Sequence, residues 1–313
     1  MATPLLLHRR ADRQASTDAT GVDRLALPFL VPAVAMMTIT LVIPSVFTAV
    51  ISLTSWSGPG DEVVWVGLRN YIGLWASDAF RSSFVNTAVL LIVGGILVFT
   101  VVFASLIALR GMRGGAFIRS VVFVPVIISP IAIGVAFGFL LNPNGGFNQI
   151  LEALSLDALR RAWLSPDVVF QVIIVGLVWS VSGYYLAIVA TGVDQIPAHL
   201  YEEAELAGAT RTQQFRMITI PLSWESLSVA IVLWIISSMK TFEIVIAFVG
   251  SQGVPPIQAR TASVQQYLAT TGGPDGSPQL AYASAIGMVL FLLTSVLVML
   301  VRRLLKRDKV ELS

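Results

Sequence analysis

The chain of 313 residues has no cysteine, which removes disulfides, thiolate metal sites and cysteine nucleophiles together. Histidine is nearly as scarce. His8 and His199 are the only two, far apart, and neither has a neighbour at metal-ligand spacing, so zinc or histidine chemistry has no foundation. The only lysines are Lys240, Lys306 and Lys309, and none follows a glycine in the arrangement that cradles phosphates, so no phosphate-binding loop is present. Charge of either sign is thin: 12% of residues are charged, against about 25% in an average soluble domain. A formal charge of +2 leaves no field strong enough to attract nucleic acid.

What is abundant is apolar, at 56% of residues. A helix crossing a bilayer needs about 20 mostly apolar residues, and six such runs occur: Leu25 to Leu53, Phe84 to Leu109, Ile118 to Leu141, Val168 to Gly192, Ser226 to Val249 and Tyr282 to Val301. The fold class expected is therefore an all-α integral membrane protein with six spans over residues 25–301. A polar tail, 1–24, precedes them and a basic tail, 302–313, follows. The first run is far longer than the about 7–15 apolar residues of a signal peptide and reads as a retained anchor. Pro28, Pro32 and Pro44 lie in or near it, which membrane helices tolerate where neighbours satisfy the freed carbonyls.

Lysine and arginine favour the cytoplasm in short loops. Fourteen of them fall in the two tails, 110–119 and 193–224, whereas five fall in 54–83, 142–167 and 250–281. Both termini and the loop 193–224 are thus expected in the cytoplasm. The segment 54–83, with Trp56, Trp65, Tyr71 and Trp75, is amphipathic and suits the membrane face or a binding-protein contact.

The loop 193–224 is too patterned for a connector. Residues 198–207 are good helix formers opened by a proline, and Gly208 fits the stop position where a left-handed backbone is needed. Thr210 and Gln213 have the spacing of a capping box, starting a second helix that Pro221 ends or kinks. Phe215, Ile218 and Leu222 form an apolar stripe, leaving Arg211, Gln214 and Arg216 to water. The small Ala204, Ala207, Gly208 and Ala209 permit close approach of another surface, and Glu202, Glu203 and Glu205 give an acidic edge. From the residues alone, a partner-docking element and a plain interfacial helix pair are both open.

This stretch resembles the EAA loop of binding-protein-dependent ABC permeases: EAA, three residues, Gly, nine residues, Ile, one residue, Leu-Pro. Glu202 takes the Glu position, Ala204 the second Ala, Gly208 the Gly, Ile218 the Ile, and Ile220-Pro221 the Leu-Pro. Glu203 replaces the first Ala, and Ala207 stands where sugar permeases usually have Asp. Further landmarks are similar to sugar permeases of the maltose and glycerol-phosphate type, and the resemblance covers nearly the whole chain. They are Leu53 to Trp56, Gly67 to Tyr71, Asn86-Thr87, Arg119 to Pro125, Lys240 to Glu243 and Ala281 to Ile286. Gly253-Val254-Pro255 replaces the usual Gly-Gly-Pro after the fifth span, and Gly272-Gly273-Pro274 follows in a longer outer loop.

The resemblance implies the transmembrane domain of a type I ABC importer, which is not itself an enzyme. It implies as partners a second permease subunit, two ATPase subunits that hold ATP and Mg, an extracytoplasmic solute-binding protein and membrane lipid. It places ATPase coupling on Tyr201, Glu202, Glu203, Ala204, Gly208, Ala209, Phe215, Arg216, Ile218 and Pro221. The cargo expected is a carbohydrate, with glycerol phosphate, an amino acid or a peptide as the alternative. A secondary transporter is disfavoured by the loop, the missing arginine ladder and the missing internal repeat.

Eight residues are expected along a solute path: Asn86, Trp179, Tyr184, Tyr185, Ser238, Lys240, Phe242 and Glu243. Lys240 and Glu243 are the ionisable side chains well inside a run, each costing roughly 2.5–3.5 kcal/mol if alone at the bilayer centre. Three apart on one helix, they pair with each other or meet a polar solute. The aromatic rings suit either the apolar face of a sugar or the membrane interface. Asn86, Ser237 and Ser238 suit either a cavity or helix-to-helix contacts.

Overall fold

A computed structural model of the chain describes residues 30–109, 112, 114–250, 253–273 and 276–306. The tail expected at 1–24, the start of the first run with Pro28, residues 307–313 of the basic tail and Pro274 lie outside the described residues. The chain divides into two compact units, Met1–Ile51 and Ser52–Ser313. Within the first lies one described helix, α1 (Leu30–Ile51), whose apolar side chains are largely exposed and which contains a π-helical turn at Thr38–Val42. The register shift sits two residues before Pro44, whose ring nitrogen cannot donate a helical hydrogen bond.

In the second unit the helices are α2 (Arg69–Ala76), α3 (Asp78–Leu109), α4 (Gly115–Ile127), α5 (Pro130–Leu140) and α6 (Gly146–Ala153). They continue as α7 (Val169–Val193), α8 (Ala198–Leu206), α9 (Arg211–Leu222), α10 (Trp224–Met239), α11 (Glu243–Val249), α12 (Ala262–Thr271) and α13 (Leu280–Leu305). Extended pairing among the described residues is one isolated bridge, Thr54 to Trp65.

Among the described residues four helices, α1, α3, α7 and α13, are long and apolar enough to cross a membrane. The third and fifth expected runs are not straight helices. The third bends by 90° between α4 and α5. Pro130 disfavours the helical region at Ser129, whose ψ is 135°, so the backbone leaves α4 and restarts with proline at the head of α5. The fifth ends at Met239 and resumes as the short α11, while at its start α10 meets α9 at a 77° bend. Counting each bent pair as one span gives up to six.

The core is built on α7, whose Ile173, Leu177, Tyr185 and Val189 are buried in one cluster with residues of α3, α10 and α11. Lipid tails are as apolar as leucine, so helices in a bilayer associate through close packing at small residues. Gly134 and Gly138 of α5, four apart, face α11. A Cβ on Gly134 would lie 2.4 Å from the Ala247 Cβ and 2.9 Å from the Ile244 carbonyl oxygen. Gly134→Val is expected to destabilise the protein by about 1–3 kcal/mol through overpacking, read as a lower melting temperature in detergent.

Candidate functional site

The loop between α7 and α10 is two helices joined by a tight turn. α8 closes on itself: the Gly208 amide donates to the Glu205 carbonyl at 2.9 Å and the Ala209 amide to the Ala204 carbonyl at 2.9 Å. This closure needs φ of +79° at Gly208, the left-handed region that glycine enters without a Cβ clash. The next helix starts at once. Thr210 accepts from the Gln213 amide at 3.3 Å, and the Gln213 side chain accepts from the Thr210 amide at 2.7 Å, completing the expected capping box. Thr210→Ala is expected to cost about 1 kcal/mol, seen as roughly fivefold faster hydrogen exchange at the first turn of α9.

The inward face of this loop is pinned to the spans. Tyr201 and Thr219 share a hydrogen bond of 3.0 Å between their hydroxyls, and the half-buried Phe215 meets Phe103 of α3 edge-on at 5.5 Å. Ile218 and Pro221 are half-buried as well. Gln214 is buried, its side-chain amide donating to the Ala209 carbonyl at 3.2 Å, so it is not available to water as the sequence suggests. A π-helical turn at Phe215–Thr219 follows and shifts the register of the residues beyond Gln214. Pro221 does not end the helix directly; α9 runs to Leu222 and the chain bends at Ser223.

The outward face holds Glu202, Glu203, Glu205, Gly208, Arg216 and two residues the sequence pattern does not flag, Leu206 and Met217. These apolar side chains are 90% and 75% exposed. No periodicity marks them, because each belongs to a helix too short to show one. Ala204 and Ala209 are partly covered. At the root of the loop, Arg119 of α4 binds both carboxylate oxygens of Asp194, at 2.9 and 3.1 Å, and so fastens the end of α7.

The expected solute-path residues divide. Tyr185 is 1% exposed and packs edge-on against Trp234 at 5.7 Å, so it belongs to the core. Ser238 is buried and donates to the Ile235 carbonyl at 3.0 Å. Asn86 spends its side-chain amide on the carbonyls of Ile257, Gln258 and Arg260 at 2.9–3.3 Å. Trp179, Tyr184, Lys240 and Glu243 are exposed on the chain. Lys240 and Glu243 do not share a helix face: α10 ends before Lys240 and α11 begins at Glu243, and among the described residues no ion pair joins them. Phe242 stacks on Tyr267 at 5.6 Å. These two rings, Glu243 and the apolar Ile131, Val135 and Phe139 line an open cavity of about 450 Å³ between α5, α11 and α12. Apolar walls with one carboxylate suit a polar molecule bearing an apolar face.

Comparison with known proteins places these features in one context. The family described as binding-protein-dependent transport system inner membrane component matches residues 100–310. The chain is 32% identical over 308 residues to a probable ABC transporter permease protein, YurN, of Bacillus subtilis, with 90% of this chain and 96% of that one covered. It is 28% identical to the diacetylchitobiose uptake system permease protein NgcF of Streptomyces coelicolor, covering 89% of this chain and 82% of that one. It is 24% identical to the lactose transport system permease protein LacF of Rhizobium radiobacter, covering 86% and 90%. Among solved structures, a chain of a bacterial ABC transporter involved in the import of the acidic polysaccharide alginate shares the fold. Its TM-score is 0.77 at 21% identity, covering 93% of this chain and 98% of that one.

Proposed function

Because the chain belongs to the family of binding-protein-dependent transport system inner membrane components, we propose that it forms half of the translocation pathway of an ATP-driven carbohydrate importer. In this reading a second permease subunit completes the pathway, two ATPase subunits bind ATP and Mg, and an extracytoplasmic protein delivers the solute. Relatives named for lactose and diacetylchitobiose support a sugar as cargo. The lysine and arginine distribution supports cytoplasmic termini and a cytoplasmic loop 193–224.

The observation that carries the coupling role is the loop geometry. Its inner face is fastened to α3 by Phe215 and within itself by Tyr201 and Gln214, while its outer face offers acidic, basic and apolar groups in a rigid frame. A frame pinned on one side and exposed on the other transmits displacement, as a bistable coupling element requires. ATP-driven closure of the two ATPases would carry both loops together and exchange inward for outward access. The exposed Trp179, Tyr184, Lys240 and Glu243 are the solute contacts in this reading, with Phe242 beside them; Asn86, Tyr185 and Ser238 act through packing.

The test is ATP hydrolysis by the complex purified in lipid, measured with binding proteins loaded with different solutes. Stimulation by a sugar-loaded binding protein supports the reading, and stimulation only by amino-acid or peptide-loaded ones contradicts it. One observation favours an anionic carbohydrate as a second reading: Lys240 is exposed, and no ion pair to it is found among the described residues. Lys240→Gln should then raise KM for an anionic sugar about tenfold, a loss of one charged contact of roughly 1.4 kcal/mol, and leave KM for a neutral one unchanged.

A further inference from the structure

Locally, the break between α10 and α11 shows a competing contact, the Thr241 hydroxyl donating to the Ser237 carbonyl at 3.0 Å. Residues Met239 to Glu243 contain neither proline nor glycine, and methionine, lysine and glutamate are good helix formers. A second set of contacts reaches the break from some 20 residues downstream. The Thr261 hydroxyl donates to the Thr241 carbonyl at 2.7 Å, and the Ser263 hydroxyl donates to the Met239 carbonyl. These are two of the carbonyls that a continuous helix would pair with amides four residues on. The downstream segment is itself anchored to α3. Asn86 holds the carbonyls of Ile257, Gln258 and Arg260, and the Thr87 hydroxyl accepts from the Ala262 amide at 2.8 Å.

We propose that the segment Ile257 to Ser263 is a clasp, fixed to α3 by Asn86 and Thr87, whose Thr261 and Ser263 hydroxyls hold the α10–α11 break open and so position Lys240 and Phe242 for transport. A backbone carbonyl at membrane depth must be satisfied inside the protein. While the clasp is engaged, the Met239 and Thr241 carbonyls have hydroxyl partners and the helix stays broken. With the hydroxyls withdrawn, those carbonyls are satisfied by continuing the helix through Lys240, Thr241 and Phe242. Position 240 is then drawn into the continued helix and loses the exposure the break gives it, whatever its side chain, and a lysine there also lies three residues from Glu243 on one face and pairs with it. The segment thus has two hydrogen-bonding arrangements, one presenting the Lys240 side chain and one retiring it. This inference rests on the proposed transport function for its purpose, but the switch itself is testable without transport.

The absence of cysteine makes the test direct: Lys240→Cys introduces the sole thiol of this chain. The complex in lipid is reacted with a water-soluble maleimide, and labelling is read on this chain after separation. The rate for Lys240→Cys is expected to fall at least tenfold when Thr261→Val and Ser263→Ala are added. It is expected to stay within twofold when Thr261→Ser and Ser263→Thr are added instead. Asp61→Cys, exposed in the segment before α2 and made separately, serves as the folding control and should label equally in all backgrounds. Equal labelling of Lys240→Cys with and without the hydroxyls, control unchanged, overturns the proposal. Should the double variant disturb the control, Asn86→Ala, which loosens the clasp without touching the break, is read in its place; it is expected to slow labelling about threefold, and no change overturns the proposal. Failure of ATP-driven uptake in the unaltered complex would instead contradict the transport function, and the labelling rates would still decide whether the clasp exists.

Discussion

Replacing Gly208 by valine is expected to lower ATP-driven solute uptake at least tenfold while the chain stays in the membrane at its usual level. The backbone there has φ of +79°, where a Cβ crowds the following carbonyl at a cost of roughly 1–2 kcal/mol for an ordinary residue and more for a β-branched one. No neighbouring atom lies within 4 Å of a Cβ at this position, so the effect is one of backbone conformation and not of crowding by other elements. The turn relaxes, and the two hydrogen bonds closing α8 onto Glu205 and Ala204 are lost. The faces carrying Glu202 and Leu206 on one side and Met217 on the other then no longer hold a fixed relation. In the proposed coupling role, docking of either alone would not transmit displacement. Uptake into proteoliposomes, normalised to chain content, measures the effect, and Gly208→Asn, which tolerates the left-handed region better, should recover part of it.

The second large effect is expected at Gly183. A Cβ there would lie 2.3 Å from the Val122 carbonyl oxygen and 2.8 Å from the Phe123 Cα, so α7 and α4 meet backbone to backbone. Neither atom is the end of a flexible side chain, and relief requires the helices to separate. Gly183→Leu is expected to cost about 3 kcal/mol or more, a large share of the about 5–15 kcal/mol that holds a folded chain together, and so to lower the yield of folded protein. Because α4 also carries Arg119, whose pair with Asp194 fastens the root of the loop between α7 and α10, the damage reaches that loop. The check is the monodisperse fraction after detergent extraction: a yield of correctly sized protein near the unaltered level would contradict this close approach of the two backbones.

Much of this architecture is legible in the sequence because membrane helices advertise themselves. Length and apolar composition locate both ends of α7 within one residue and of α13 within four, the end of α1 within two and that of α3 at Leu109, while α3 begins six residues before the apolar run does, since a bilayer sets the length of the apolar part alone. The loop is legible for a different reason. Gly208, Thr210 and Gln213 are residues whose local chemistry leaves little choice, one entering a left-handed turn and two closing a cap, and all three behave as their types demand. Pro130 is a local signal for the bend that ends α4, although the 90° angle also depends on packing against α7 and α11.

The break at Lys240 is not legible, because residues 239–243 hold neither proline nor glycine and the Thr241 hydroxyl bond to the Ser237 carbonyl is of a kind that unbroken helices also carry. Its donors, Thr261 and Ser263, act from beyond the next helix, and their own anchors, Asn86 and Thr87, come from about 170 residues earlier in the chain. Asn86 reads as a cavity-lining amide in sequence for the same reason: the three carbonyls it serves are remote. The π-helical turn at Phe215–Thr219 is likewise hidden, and so is the burial of Gln214 against the Ala209 carbonyl. Leu206 and Met217 carry no sequence signal because exposure of an apolar side chain on a short helix follows from how the helix docks, not from its period.

The decisive measurement is uptake of radiolabelled sugar by proteoliposomes holding the whole complex and the binding protein, with ATP enclosed and the membrane potential collapsed by an ionophore. A loop that couples an ATPase to the spans predicts that uptake persists under these conditions and stops when a non-hydrolysable nucleotide replaces ATP. Uptake that ceases with the potential and ignores the nucleotide would contradict it.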